Sequence, residues 1–216
     1  IITSSSLPVI GAWNHLAITR SGTNLSMFLN GARLSTTSSG GANFVSGDVT
    51  IFAESGGSYP VKCYLSDLRL VKGSAVYDPT QTTLTIPTSP LSAITNTSLL
   101  AKFQNAAIFD NSMKNDLETV GNAQISTSVK KFGTGSMYFN GSTSNRIKPP
   151  ASDLHAFGTG NFTVEAWIYV TDITTENFVF DTRSGASTAG MGFSLEPNTG
   201  KLRYSGNANN VLTSTS

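Results

Sequence analysis

The sequence predicts an all-β domain, a sandwich or barrel of short antiparallel strands. Ser and Thr make up about a quarter of the 216 residues, Gly is plentiful and only 12% of residues are charged. A typical globular chain has about twice that charged fraction. Apolar and polar residues alternate over short segments, and turn signals rich in Gly, Asn and Ser separate those segments. These observations are typical of many strands joined by turns rather than of a helical bundle.

The first part of the chain reads as a meander. Residues 13–20 alternate two sets of side chains, and both sets contain apolar residues, as in a strand that is covered on both faces. A turn and a return strand at 25–29 follow. Asn30-Gly31 is the strongest short hairpin signal, because both positions tolerate a positive φ. The sequence therefore predicts a third strand at 32–35.

A short strand at 49–53 and a longer one at 63–71 come next. Regular alternation over the longer strand places the even-numbered residues 64–70 on one face and the odd-numbered residues 65–71 on the other. Cys63 is the single cysteine, so an intrachain disulfide is excluded. A lone cysteine within a strand is predicted to be a small core residue.

Residues 78–97 differ from the rest because they hold three prolines among Thr and Ser. Proline cannot donate to a strand ladder, so this segment is predicted to be an extended linker. It divides the chain into residues 1–77, the linker at 78–97 and residues 98–216.

A second set of strands follows the linker. They are predicted at 98–103, 123–129, 136–139, 162–170, 178–181, 191–195 and 202–204. In the strand at 162–170 the even-numbered residues are apolar and face one way, while Glu165 and Trp167 face the other way. Residues 152–157 are predicted to form a single helical turn with Ser152 as its cap.

Four segments resemble strands of laminin-G-like, concanavalin A-like jelly rolls. They are GNFTVEAWIY at 160–169, WNHLAITR at 13–20 with its LNG hairpin, CYLSDLRL at 63–70 and KFGTGSMYFNG at 131–141. The resemblance implies a two-sheet antiparallel jelly-roll sandwich. Domains similar to this one are often found in tandem in phage tail fibres and appendages.

The order of these segments is permuted relative to that family. Residues 1–77 resemble the C-terminal half of a jelly roll, and residues 98–216 resemble the N-terminal half. Residues 1–6 are also similar to residues 211–216. We therefore predict one phase-shifted period of a tandem array.

Two architectures remain open at this point. In the closed one, the two halves pack within one chain as a circularly permuted jelly roll. In the open one, each half is completed by a neighbouring copy, because a half-domain exposes sheet edges and an apolar face. Repeated exchange of that kind yields a filament if the geometry does not close.

Catalytic and zinc sites are not predicted. The glucanases of the jelly-roll class, which the resemblance brings into consideration, use a Glu-x-Asp-x-x-Glu strand, whereas Glu165 is the one carboxylate in its strand. A glycosidase needs two carboxylates about 5 to 10 Å apart. His15 and His155 are the two histidines, and no Cys/His cluster typical of zinc is present. His15 is expected to be structural.

Calcium is the candidate metal. Many laminin-G-like domains bind it through an Asp and backbone carbonyls, and Asp110 with Asn111 occupies the corresponding turn. Calcium takes six to eight oxygen ligands, so carbonyls and water would have to complete the site. The alternative is a structural Asx-turn.

Two tyrosines are candidates for stacking on a sugar. Tyr59 lies in a Gly/Ser/Pro loop, and Tyr204 lies near several asparagines. Either residue is equally well explained as an edge-strand packing residue.

Charge and hydropathy exclude two partner classes. The net charge is +1 and no basic run with interleaved aromatics is present, so nucleic acid is not expected to bind. No apolar stretch approaches the roughly 18 residues of a membrane-inserted helix.

The expected function is a non-enzymatic structural and adhesion module of a virion appendage, or of another extracellular protein. Cell-surface glycans are its candidate ligands, and other copies or neighbouring repeats are its candidate partners. The alternatives are a self-assembling extracellular filament subunit that exchanges strands and, less favoured, a polysaccharide-cleaving enzyme.

Overall fold

A computed structural model describes most of the chain. The described residues are 2–3, 7–38, 42–44, 49–54, 59, 61–104, 108, 110–112, 114, 117–142, 144–183, 190–206 and 210–215. Within them the chain forms β-strands and one short 3₁₀ turn, Asp153–His155. No helix among these residues is long and apolar enough to cross a membrane.

The strands follow the turn signals of the sequence closely. They are β1 (Ile2–Thr3), β2 (Trp13–Ser21), β3 (Asn24–Leu29), β4 (Ala32–Ser38), β5 (Thr50–Ile51), β6 (Lys62–Lys72), β7 (Thr97–Ala101), β8 (Glu118–Val120), β9 (Gln124–Ser126), β10 (Ser136–Asn140), β11 (Arg146–Lys148), β12 (Phe162–Val170), β13 (Asn177–Asp181), β14 (Met191–Leu195), β15 (Leu202–Gly206) and β16 (Asn210–Thr215).

The strands form two sheets that pack face to face. The first sheet has the order β1-β16-β15-β14-β13-β5-β11-β8, and the second has the order β4-β3-β2-β12-β6-β10-β9, with β7 also paired to β6. All pairs are antiparallel except β1 with β16, which pair in parallel at the edge of the first sheet. The predicted two-sheet antiparallel sandwich is confirmed.

Each sheet contains strands from the chain before residues 78–97 and strands from the chain after them, interleaved in one strand order. In the second sheet, β12 lies between β2 and β6 and pairs with both over nearly its whole length. In the first sheet, β5 lies between β11 and β13. Residues 1–77 and 98–216 therefore share their sheets within one chain, which is the arrangement of the closed alternative.

The alternation in the two central strands sets the core. The apolar even-numbered residues of β12 and the interior residues Leu16 and Ile18 of β2 are buried in one cluster between the sheets. Cys63 is buried in the same cluster, as predicted, and burial raises the pKa of its thiol well above the usual value. The Asn30-Gly31 turn has positive φ at both positions, and Ser152 caps the 3₁₀ turn, so both local predictions are confirmed.

The predicted face assignment in β6 is wrong beyond its midpoint. Asp67 adopts a left-handed conformation with φ 50°, and the pairing with β12 shifts register there. This β-bulge inserts one extra residue, so Leu65 and Leu68 both point into the core instead of opposite ways. Arg69 consequently lies on the outer face, opposite Glu165.

Residues 78–97 lie across the outer face of the second sheet, and we call them the strap. Ser26 Oγ donates to the Pro79 carbonyl at 2.6 Å, and Leu84 N donates to the Gly31 carbonyl at 2.8 Å. A Cβ on Gly31 would come within 2.8 Å of the Leu84 carbonyl oxygen, so this close approach requires glycine. The segment predicted to be a linker is thus bonded to the sheet as a cover.

Candidate ligand-binding surface

The outer face of the second sheet carries a row of aromatic side chains on four neighbouring strands. Trp13 of β2 pairs with Tyr169 of β12, Tyr169 pairs with Tyr64 of β6, and Tyr64 pairs with Tyr138 of β10. Adjacent strands lie about 4.8 Å apart, so residues in register form a continuous row. We call these four residues the aromatic ladder.

The rings of the aromatic ladder contact one another in a herringbone pattern. Centroids lie 5.7 Å apart for Trp13 and Tyr169, 5.8 Å for Tyr169 and Tyr64, and 4.8 Å for Tyr64 and Tyr138. The first two pairs meet edge to face, which is a favoured geometry for aromatic rings. Mutual packing therefore fixes the positions of the four side chains.

The polar tips of the aromatic ladder are available to a ligand. All four side chains are partly exposed. Within the described part of the chain, the three tyrosine hydroxyls and the Trp13 indole N–H make no hydrogen bond. Burial raises the pKa of Tyr64, and the neighbouring hydroxyls of Tyr138 and Tyr169 raise it further. The Tyr64 hydroxyl thus stays neutral and can both donate and accept.

A polar pocket of about 230 Å³ adjoins one side of the aromatic ladder. It is lined by Lys62, Asn140, Gly141, Asp172, Thr174 and Thr175. Lys62 and Asn140 pair across β6 and β10, each two residues from a ladder tyrosine on the same strand face. The Thr174 backbone N–H and then its hydroxyl lower the pKa of Asp172. The pocket therefore offers an ammonium donor and a carboxylate acceptor beside the rings.

An exposed apolar segment lies at the Trp13 end of the aromatic ladder. Leu7, Val9 and Ile10 are all exposed. Asn14 holds the segment in place, because its side chain bonds both the N–H and the carbonyl of Val9 at 3.0 and 2.9 Å. Exposed apolar groups next to partly exposed aromatic rings are typical of a surface that binds a partner.

A buried ionic cluster lies on the same face, beneath the strap. Glu165 accepts from Arg69 Nε at 2.8 Å, from the Tyr77 hydroxyl at 2.6 Å and from His15 Nε2 at 3.2 Å. Burial alone would raise the pKa of Glu165, but the bonds from His15 and Tyr77 and the charge of Arg69 outweigh burial and lower it. Arg69 Nη1 also donates to the Ser92 carbonyl, which ties the cluster to the strap.

Asp67 is a second buried carboxyl close to this cluster. Its side chain is fully buried, and neither oxygen meets a donor at hydrogen-bonding geometry among the described residues. Burial raises its pKa to about 6, although the nearby Leu91 backbone N–H and the Lys102 ammonium oppose this. The charge of Glu165 raises the pKa of Asp67 further.

Two nearby carboxyls with pKa values displaced in opposite directions are typical of a glycosidase acid and its partner. Glu165 and Asp67 fit that electrostatic pattern. Both are closed to solvent under the strap, so no sugar reaches either one in this conformation. The hydrolase alternative is therefore not favoured by the geometry.

Residues 1–78 match the family model described as the Concanavalin A-like lectin/glucanases superfamily. These residues supply strands to both sheets, and the later strands complete the same two sheets. The fold is a jelly-roll sandwich of the concanavalin A-like type, and residues 1–78 are the part that is similar to this superfamily. Comparisons with curated proteins and with solved structures find no match. Jelly rolls of this kind generally serve as binding modules.

Asp110, the predicted calcium ligand of the jelly roll, is buried and its carboxylate is occupied by protein donors. Oδ1 accepts from the backbone of Leu100 and Ser112, and Oδ2 accepts from the Ser112 hydroxyl and the Lys114 backbone. Asn111 donates its backbone N–H to the Leu100 carbonyl. This donor set fits an Asx-turn and does not fit a cation. The described residues also hold no group of three or more His, Cys, Asp or Glu suited to a metal.

The two predicted sugar-stacking tyrosines lie in different environments. Tyr204 is buried in the core of the jelly roll against Phe44, so its ring offers no face to a sugar and the prediction is corrected. The asparagines at 207 and 209 lie outside the described residues. Tyr59 is exposed and contacts Phe178 of the first sheet, whereas the aromatic ladder belongs to the second sheet. Its role in binding stays a prediction.

Sequence reasoning did not find the aromatic ladder. Each strand shows an aromatic residue on its polar face, but alignment of the four depends on strand pairings between distant parts of the chain. One sequence signal could have revealed it: an aromatic residue recurs at an outward-facing position of each of these strands, and such residues interact when the strands are neighbours.

Proposed function

We propose that this jelly roll is a non-enzymatic adhesion module that binds saccharide chains of a cell surface through its aromatic ladder. The observation that carries the proposal is the register of Trp13, Tyr169, Tyr64 and Tyr138, whose polar tips have no partner in the described part of the chain. Aromatic side chains with an apolar body and a polar tip suit a ligand that presents both C–H faces and hydroxyls. The polar pocket at Lys62 and Asp172 supports the same ligand class.

The resemblance to tandem modules of phage tail fibres favours a virion appendage as the place of action, with an extracellular setting in either case. In such an array, neighbouring repeats are the proposed protein partners. A calcium requirement is not part of the proposal, because the Asp110 carboxylate is already bonded by four protein groups.

Replacing Tyr64 by Ala is expected to weaken saccharide binding about tenfold, because Tyr64 lies in the ladder between two other rings and contacts both. The measurement is binding to a printed array of cell-surface oligosaccharides, followed by titration of the strongest binder. Tyr64→Phe keeps the ring and removes the hydroxyl, so it separates stacking from hydrogen bonding.

Tyr59→Ala is the comparison variant, since Tyr59 is an exposed tyrosine outside the aromatic ladder and the competing candidate for stacking on a sugar. The proposal assigns binding to the ladder and not to Tyr59. We expect Tyr59→Ala to bind like the unaltered protein. The proposal would be contradicted if the protein bound no saccharide on the array. It would also be contradicted if folded Tyr59→Ala and Tyr64→Ala proteins lost the same amount of saccharide affinity.

A filament subunit is the second candidate, favoured by one specific observation. β1 and β16 pair in parallel at a sheet edge, and their sequences are similar. The β1 segment of a neighbouring copy therefore has the chemistry to replace the one in the same chain.

The mass in solution decides between the two. We expect a constant mass near 22.7 kDa across a concentration series, because β12 is enclosed by β2 and β6 of the same chain. The measurement is light scattering after size exclusion. Mass that grows with concentration would make assembly the leading function.

A further inference from the structure

A lysine lies next to the aromatic ladder on the same outer face. Lys131 Nζ lies 3.9 Å from the centroid of the Trp167 ring and 5.4 Å from that of Phe132. Trp167 precedes the ladder residue Tyr169 by two positions in β12, so both rings share one face. The ammonium group is therefore one residue row away from the aromatic ladder.

This cation has no anionic partner among the described residues. Lys131 forms no ion pair with a described carboxylate. The nearest outward carboxylate in β12 is Glu165, and it is already bonded to Arg69, His15 and Tyr77. The Lys131 ammonium packs on these rings, and this partial burial lowers its pKa.

A second lysine flanks the other side of the aromatic ladder. Lys62 precedes Tyr64 by two positions on the outer face and lines the polar pocket. Asp172 is the one carboxylate that lines that pocket. The two sides of the ladder thus carry positive groups, and Lys131 is the one without a compensating charge.

We propose that the saccharide bound by the aromatic ladder is acidic, and that its carboxylate or sulfate group pairs with Lys131 Nζ above Trp167. This inference rests on the proposed saccharide binding. An ammonium that is held over an indole ring and lacks a protein counter-ion gains an ion pair when an anionic sugar packs on the neighbouring rings. A neutral sugar provides no such pair.

Matched acidic and neutral probes test the proposal. One pair is oligogalacturonate and its methyl ester, and the other is sulfated lactose and lactose. We expect one acidic probe to bind at least about fivefold more tightly than its neutral counterpart, and we expect added salt to reduce the difference. Comparison of the oligogalacturonate pair with the lactose pair shows whether the site prefers a carboxylate or a sulfate.

The Lys131→Met variant is expected to lose the acidic preference, since Met keeps an unbranched side chain over Trp167 without the charge. Lys130→Met is the control, because it removes the same charge from the adjacent exposed position, which has no ring contact. Its preference should remain. Lys131→Arg should keep most of the preference because it keeps the cation.

The outcomes separate this inference from the proposed function. Equal binding of acidic and neutral probes that still depends on Tyr64 would overturn the acidic preference and leave saccharide binding intact. A preference that survives in Lys131→Met would also overturn it. If the protein bound none of the probes and no saccharide on the array, both proposals would be overturned.

Discussion

Replacing Glu165 by Gln is expected to lower the free energy of unfolding by about 3 kcal/mol or more. The change leaves the Arg69 cation beside a neutral amide in a site closed to solvent, and breaking a buried ion pair from one side costs about 3–5 kcal/mol. The His15 and Tyr77 bonds to the carboxylate weaken at the same time. Urea unfolding at pH 7, followed by tryptophan fluorescence, measures the loss.

Two comparisons make this result specific. Glu196→Gln removes a carboxylate from a turn near the surface and should change the free energy of unfolding by less than about 0.5 kcal/mol. The double variant Glu165→Gln with Arg69→Met should lose less than the sum of its single variants, because the unpaired cation is gone. A loss below about 1 kcal/mol in Glu165→Gln would mean that water reaches the cluster.

Replacing Asp67 by Asn is expected to stabilise the protein at neutral pH, by up to about 3 kcal/mol. The pKa of Asp67 is about 6 in the folded protein against 3.8 for its ordinary value, and each unit is worth about 1.36 kcal/mol. Folding therefore favours the protonated acid. Its contribution to stability is complete below about pH 4 and is lost as pH rises through 6. Asn is neutral at all these pH values and also tolerates the left-handed conformation at this position.

Urea unfolding of both proteins between pH 4 and pH 8 checks this sign. The gain from Asp67→Asn should be largest at pH 8 and should shrink toward pH 4. Asp78→Asn is a contrasting control, because the Thr80 backbone N–H lowers the pKa of Asp78 and its ionised form is the favoured one. That variant should give no gain at neutral pH. A gain from Asp67→Asn that does not vary with pH would contradict the assigned cause.

Asp67 also occupies a position that the candidate binding surface depends on. The bulge at Asp67 lies between the ladder residue Tyr64 and the cluster residue Arg69 in β6. A strand without the bulge would turn Arg69 toward the core and break its contact with Glu165.

Local sequence patterns were sufficient to predict most strands, the Asn30-Gly31 hairpin and the faces of β2 and β12. The reason is that alternation along one strand and turn chemistry within a few residues depend on nearby residues alone. The same reasoning placed Cys63 in the core. It also indicated Ser152 as a cap, because capping is a contact between residues two positions apart.

Contacts between distant segments lay beyond such patterns. The bulge at Asp67 changed which side of β6 faces the core, and the strap covered a sheet face instead of acting as a spacer. Both outcomes depend on partners far away in the chain, namely β12 opposite the bulge and Gly31 opposite the strap. Sequence reasoning left Tyr204 open between stacking on a sugar and packing at a strand edge, because the packing of Phe44 against it is not visible in its own strand.

The candidate site shows most clearly the difference between what one strand's sequence predicts and what contacts between distant strands decide. The chain carries an outward aromatic at Trp13, Tyr64, Tyr138 and Tyr169, and each is readable from its own strand. Their union into one row required the pairing of β2, β12, β6 and β10 in a particular register. A shift of one residue in any pair would move an entire strand's aromatic to the other face. Composition and alternation therefore determined an all-β sandwich, whereas the register between distant strands, set by packing of the shared core, built the candidate binding surface.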